Sequence, residues 1–256
     1  MKTSTKTFLW IAGCSIAVVA ALFVALNYQE ISNSIKERRL RRQIMHQTEK
    51  VQFDSTKIDN IHNIILMDES GSMSSMREEA VSGAQETVLS IKAARDTVPE
   101  LKQFVTVASF CGDQHLDLRY SVKAKAVEEV KTDFEEYRPH SCTPLYDAIG
   151  SVIQDYIEKV NENDYVMMTI ITDGYENASH QYTAASIKTI IDSLSAKNWT
   201  FTYIGTNQDA MLEGGRIGIQ NSYNYDNTKQ GYRDMIQSES YRRNTRISRI
   251  GADKRR

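Results

Sequence analysis

From residue 60 onward, short uncharged runs rich in Ile, Val and Met alternate with longer amphipathic stretches, and this alternation limits the fold more than any other feature. Short runs that are apolar on both sides suit parallel strands buried on both faces, and the stretches between them suit the crossover helices such strands require. The pattern predicts strands at 62–67, 104–110, about 116–122, 166–172 and 199–204. Helices are expected at 76–94, 124–134, 145–160, 184–196, 209–214 and 229–240. Pro99, Pro139 and Pro144 fall in expected loops or at a first helical position, where a missing N–H does no harm. The expected fold class is α/β: a doubly wound, mostly parallel sheet with helices on both faces. In such sheets ligands sit beyond the carboxyl ends of the strands, so function is sought at that edge.

A chain of 256 residues has room for one such domain with appendages. The expected organisation is a short tail (1–7), a transmembrane helix (8–26), a basic juxtamembrane helix and linker (27–59), the α/β domain (60–240) and a basic carboxyl-terminal tail (241–256). Residues 8–26 carry no charge, and about 20 apolar residues cross a bilayer core. The run outlasts the roughly 7–15-residue apolar core of a secretory signal peptide, its rival reading. It also continues past Cys14, which a lipoprotein signal ending in Ile11-Ala12-Gly13-Cys14 would not do. Lys36, Arg38, Arg39, Arg41 and Arg42 follow the run, against Lys2 and Lys6 before it, so the expectation is a single-pass membrane protein with a cytoplasmic domain. Ile31, Ile35, Leu40 and Ile44 sit at loosely helical spacing in the juxtamembrane segment.

The formal net charge of -2 conceals an acidic body and basic ends. An acidic body lacks the clustered cations that displace counterions from phosphate, so no nucleic-acid partner is expected. The three cysteines, Cys14, Cys111 and Cys142, form no CxxC pair, and the five histidines show no ligand spacing. Neither a disulfide framework nor a cysteine zinc site is indicated.

The chemistry-bearing stretch follows the first expected strand. Asp68-Glu69-Ser70-Gly71-Ser72 places a carboxylate and two hydroxyls at alternate positions of a loop that enters a helix. Hard oxygen donors of modest charge suit a small hard cation that keeps some of its waters, Mg²⁺ better than Zn²⁺. Taken alone, Asp68 and Ser70 also suit plain helix capping. Two further stretches bear on the choice. Ile170-Ile171-Thr172-Asp173-Gly174 ends a buried strand on an acid and a glycine, and Ser141-Cys142-Thr143-Pro144 precedes a helix, where Thr143 also fits an ordinary cap.

In this order and spacing the three stretches resemble the von Willebrand factor A domain and its metal-ion-dependent adhesion site, over roughly residues 60–224. The resemblance implies that Asp68, Ser70, Ser72, Thr143 and Asp173 form the metal set, with Mg²⁺ as the ion and Mn²⁺ or Ca²⁺ as alternatives. It also implies a protein partner whose Asp or Glu carboxylate completes the coordination. Asp147 occupies a position often acidic in such domains, read either as support behind the ligands or as a first-turn helix acid. Phe201-Thr202-Tyr203-Ile204-Gly205-Thr206, with Arg216-Ile217-Gly218-Ile219 beyond it, is similar to a bacterial subgroup of these domains.

The expected function is therefore a membrane-anchored domain that binds a divalent cation and through it a protein, with no small-molecule substrate. A metal-independent tethered scaffold is one alternative and a metal-dependent phosphoester hydrolase another. Against the enzyme stand the missing GxSxG elbow, the missing glycine-rich lysine loop and the lack of paired aspartates at 68–70.

Overall fold

The computed structural model describes residues 28, 32, 34–44, 54–134, 136–206 and 209–256. The span expected at 8–26 lies outside them, and among the described residues no helix is long and apolar enough to cross a membrane. Six strands form one sheet: β1 (Asn60–Asp68), β2 (Lys102–Gly112), β3 (Leu116–Ala126), β4 (Asp164–Thr172), β5 (Trp199–Gly205) and β6 (Asn221–Asn224). Their order is β3-β2-β1-β4-β5-β6, with β3 antiparallel to β2 and every other pair parallel.

The helices are α1 (residues 34–44), α2 (Arg77–Thr97), α3 (Leu145–Ile157), α4 (Ala184–Ser195), α5 (Ala210–Arg216) and α6 (Lys229–Lys254). Alternate residues of the central strands feed opposite layers. Ile64, Leu66, Met168 and Ile170 pack with α3 and α4, whereas Ile65, Met67, Val105 and Val107 pack with α2 and the start of α6. The expected doubly wound, mostly parallel sheet is what forms.

Four elements differ from their sequence expectation. Residues 124–134 are not a helix. β3 continues to Ala126, a single 3₁₀ turn (Val127–Glu129) follows, and the chain then runs across α2. Val127, Val130 and Phe134 mimic a helical repeat because each drops one apolar anchor into the layer under α2. Side chains of α2 supply part of the hydrogen bonding that a helix would have supplied itself, Gln85 Nε2 donating to the Thr132 carbonyl (2.8 Å) and Lys92 Nζ to that of Val130 (2.8 Å). β6, with sequence Asn-Ser-Tyr-Asn, carries no apolar signal and is a strand because β5 offers it an edge.

The basic segment 241–256 is not a detached tail. α6 runs through it to Lys254 and buries Arg243, Ile247 and Ile250 in line with Tyr232, Met235, Ile236 and Glu239. The stripe was hidden because Glu239 and Arg243 occupy two of its positions. Gly251 lets the helix approach Val98, whose Cγ1 would lie 2.5 Å from any added Cβ. Finally, α1 is helical as its spacing suggests, but Leu40 and Ile44 are fully buried in the α3–α4 layer, so this end of the expected linker is docked on the domain.

Candidate metal centre

Strand register assembles the site. Met67 lies level with Ile171, so Asp68 at the end of β1 stands beside Thr172 and Asp173 at the end of β4. After Asp68 the chain turns into a 3₁₀ segment (Gly71–Met76) that leads into α2. The turn is fixed locally: Asp68 Oδ1 accepts the Ser70 backbone N–H at 2.7 Å, and Thr172 Oγ1 donates to Asp68 Oδ2. Ser70 and Ser72 place their Oγ atoms 3.0 Å apart, and Ser72 Oγ donates to Asp173 Oδ1 at 2.6 Å.

Thr143 arrives from a third loop. Asn177 holds that loop from both sides, Oδ1 accepting from Thr143 N (2.9 Å) and its own N–H donating to the Thr143 carbonyl (3.2 Å). Ser141 holds a left-handed φ of 63° and its carbonyl receives Gly71 N–H at 3.0 Å, tying this loop to the serine loop. Gly174 shows where the donors converge. A Cβ at that residue would lie 3.1 Å from Thr143 Oγ1, 3.7 Å from Ser72 Oγ and 3.8 Å from Asp68 Oδ2. The five expected residues therefore meet at one place. Asp68, Ser70, Thr143 and Asp173 are buried and Ser72 is exposed, leaving the cluster open on the serine side.

The donor set suits a hard dication. Two carboxylates are buried here, and among the described residues neither forms an ion pair with Lys, Arg or His, an arrangement that is costly unless a cation joins it. Burial pushes the Asp68 carboxyl up to about 6, with the neighbouring Asp173 adding to the shift, and burial also raises Asp173. All five side chains offer carboxylate or hydroxyl oxygens, the ligand class of Mg²⁺, Mn²⁺ and Ca²⁺.

Two acids near the cluster have other tasks. Asp147, in the first turn of α3, spends its carboxylate on three backbone amides, those of His180 (2.9 Å), Gln181 (2.8 Å) and Tyr182 (2.8 Å). It pins the segment after β4. Glu69, which the motif left unassigned, is fully buried and points away from the serines. It pairs with Arg119 and accepts the Arg138 N–H, while its carbonyl takes the His140 N–H at 2.8 Å. Alternation along the loop thus sends Asp68 and Ser70 to the cluster and Glu69 to the strap that carries Thr143. A second group was invisible in sequence: Cys111, Asp117 and His140 bring one ligand atom each within 4.8 Å of one another. They come from two strands and a loop, so no spacing rule could find them.

Gly174→Ala is expected to abolish divalent-cation binding and leave the fold intact. The methyl would occupy the place where the donors converge, and its tightest contact, 3.1 Å, needs only a few tenths of an ångström of relief. Titration calorimetry with Mg²⁺ together with circular dichroism checks this; an alanine variant that binds Mg²⁺ like wild type would overturn the placement.

No family model and no curated protein matches the sequence. Solved structures do overlap it. The pilus adhesin SpaC from Lactobacillus rhamnosus GG aligns with a TM-score of 0.54 at 13% identity, over 74% of this chain and 30% of that one. Proximal thread matrix protein 1 from the mussel byssus aligns with a TM-score of 0.50 at 12% identity, over 74% and 46%. A von Willebrand factor type A structure from Catenulispora acidiphila overlaps more loosely, with a TM-score of 0.45 at 16% identity over 72% and 42%. The chain spans less than half the length of each. At these identities the likeness is one of fold: an α/β sheet, mostly parallel, flanked by helices.

Proposed function

We propose that this chain is a von Willebrand factor A-type domain that binds a divalent cation, Mg²⁺ foremost, and through it a protein partner that supplies an Asp or Glu carboxylate. The observation that carries the reading is the meeting of Asp68, Ser70, Ser72, Thr143 and Asp173 from three loops at the carboxyl edge of the sheet, with two buried carboxylates that pair with no Lys, Arg or His among the described residues. In this reading these five residues hold the ion, and the hydroxyls leave its charge only partly neutralised, so it accepts a further oxygen from outside. The sharing of the fold with a pilus adhesin is in keeping with such a role.

Exposed apolar side chains on the same edge supply a partner surface. Tyr175 follows the end of β4, and Met211 and Leu212 follow the end of β5, each more than half exposed. They give a contact area beside the ion in an otherwise acidic body. We further propose that residues 8–26 anchor the chain in a membrane with the domain on the cytoplasmic side, supported by the uncharged run and the arginines that follow it.

The test is capture of partners by the full chain in Mg²⁺, in chelator, and as Asp173→Asn in Mg²⁺. Partners held only by wild type in Mg²⁺ support the reading. Partners recovered equally under all three conditions would instead establish a metal-independent scaffold, and turnover of a phosphoester without any partner would establish an enzyme.

A further inference from the structure

Away from the metal edge, α6 and the sheet enclose a cleft of about 230 Å³. Four arginines of α6 line it: Arg242, Arg243, Arg246 and Arg249. Its floor carries hydroxyls where a sheet face under a helix would ordinarily be aliphatic. Thr169 comes from β4, Thr200 and Thr202 from β5, and Asn221 and Tyr223 from the edge strand β6.

Arg243 is the decisive residue. It is 4% exposed, and its Nη2 donates to Thr169 Oγ1 at 2.8 Å and to Glu239 Oε1 at 3.3 Å. Its Nε and Nη1 are buried with no hydrogen-bond partner among the described residues. A buried guanidinium with two unpartnered donors is costly, and Arg243 stands in the wall of this cleft among three further arginines. Among the described residues Glu239 is the only carboxylate lining the cleft, and Arg243 and the Thr169 hydroxyl already claim it. Arg242 stacks on the Tyr223 ring, its guanidinium carbon 3.8 Å from the centroid. Arg246 donates to Tyr165 Oη at 3.0 Å. Among the described residues, neither of these nor Arg249 forms an ion pair with a carboxylate.

We propose that this cleft is an anion site for a phosphomonoester, carried either by a small free compound or by a lipid headgroup. Several guanidiniums lining one small cleft match a dianion with three or more acceptor oxygens, and the planar fork of arginine pairs with phosphate through two parallel hydrogen bonds. A single carboxylate would leave most of these donors unused. The volume is below the roughly 300 Å³ at which pockets for drug-sized ligands begin, so the ligand part held inside is small. The site is independent of the metal centre, since none of its lining residues belongs to the five donors.

The test uses the full chain purified in a neutral detergent. Titrate it with inorganic phosphate, with glycerol 3-phosphate, and with short-chain phosphatidic acid against phosphatidylcholine in mixed micelles, all at matched ionic strength in chloride. The expected result is saturable binding that weakens about tenfold or more in the double variant Arg242→Ser/Arg249→Ser, because charge-assisted contacts to the anion are lost. Arg216→Ser, outside the cleft, should bind like wild type. Both substituted arginines are exposed, so a thermal melt shows the double variant still folded, and Arg243 is left in place because Glu239 depends on it. Binding of the water-soluble phosphates identifies a free ligand; binding of phosphatidic acid alone identifies a headgroup. No saturable binding of any of them, a response matched by chloride, or binding untouched in the double variant would overturn the assignment.

Discussion

Asp68→Asn is expected to abolish divalent-cation binding while making the metal-free domain more stable at neutral pH. Asp68 is fully buried, and burial pushes its carboxyl from the ordinary 3.8 up to about 6. A raised folded-state value means that the folded chain holds this proton more tightly than the unfolded chain does. The resulting stability is fully present below pH 3.8 and lost as pH rises through 6, so at pH 7.5 the ionised group costs on the order of 3 kcal/mol. Asparagine removes that cost without orphaning its neighbours. Its Oδ1 can still take the Ser70 N–H, and the Thr172 hydroxyl has a second acceptor in the Gly174 carbonyl at 3.1 Å. Melts in chelator should therefore place the variant above wild type at pH 7.5, with the gap closing toward pH 4.5. Added Mg²⁺ should raise only wild type, because a ligand bound to the folded state alone stabilises by mass action. A variant that is less stable than wild type in chelator, or that responds equally to Mg²⁺, would sink the assignment of Asp68 as a ligand.

Ending the chain after Ser240 is expected to unfold the domain, although the residues removed read as a solvated basic tail. The deletion takes away Arg243, Ile247 and Ile250, which are 4%, 0% and 4% exposed. Each isoleucine lost from a packed layer costs about 2–5 kcal/mol. Glu239 would lose its buried partner, a change worth about 3–5 kcal/mol. Together these rival the whole stability of an ordinary domain, about 5–15 kcal/mol. Circular dichroism should show no cooperative melt for the truncated chain. Removing only Arg255 and Arg256, both exposed, should shift the melt by a degree or two at most; a cooperative melt after the longer deletion would mean that α6 beyond residue 240 contributes little.

How much of this was legible follows from where each signal resides. Asp68, Ser70, Ser72 and Asp173 stood out because they follow apolar runs whose ends a parallel sheet brings to one edge, whereas Thr143, which precedes a helix, joined them only through the family resemblance. The burial of Asp68 and the contact between Ser72 and Asp173 did not stand out, since they depend on β1 and β4 being neighbours in register. Glu69 received no role from the sequence; that it accepts the Arg138 N–H of the Thr143 strap while paired with Arg119 depends on the antiparallel β3, which places Arg119 within its reach.

The sequence by itself determined the layer architecture, because hydrophobic period is a local property: continuous apolar runs make strands buried on two faces, and helical stripes cover them. Through the resemblance of its three short stretches to a known adhesion site, it also singled out Asp68, Ser70, Ser72, Thr143 and Asp173 as the residues to look for at one edge. Only the tertiary structure decided what residues 124–134 and 241–256 are. In the first, apolar anchors at helical spacing are satisfied by an extended chain because α2 supplies hydrogen bonds to its carbonyls. In the second, a helix face interrupted by Glu239 and Arg243 is buried because the two charges pair with each other and with Thr169. Partners distant in sequence set the outcome in both, and no local pattern records them.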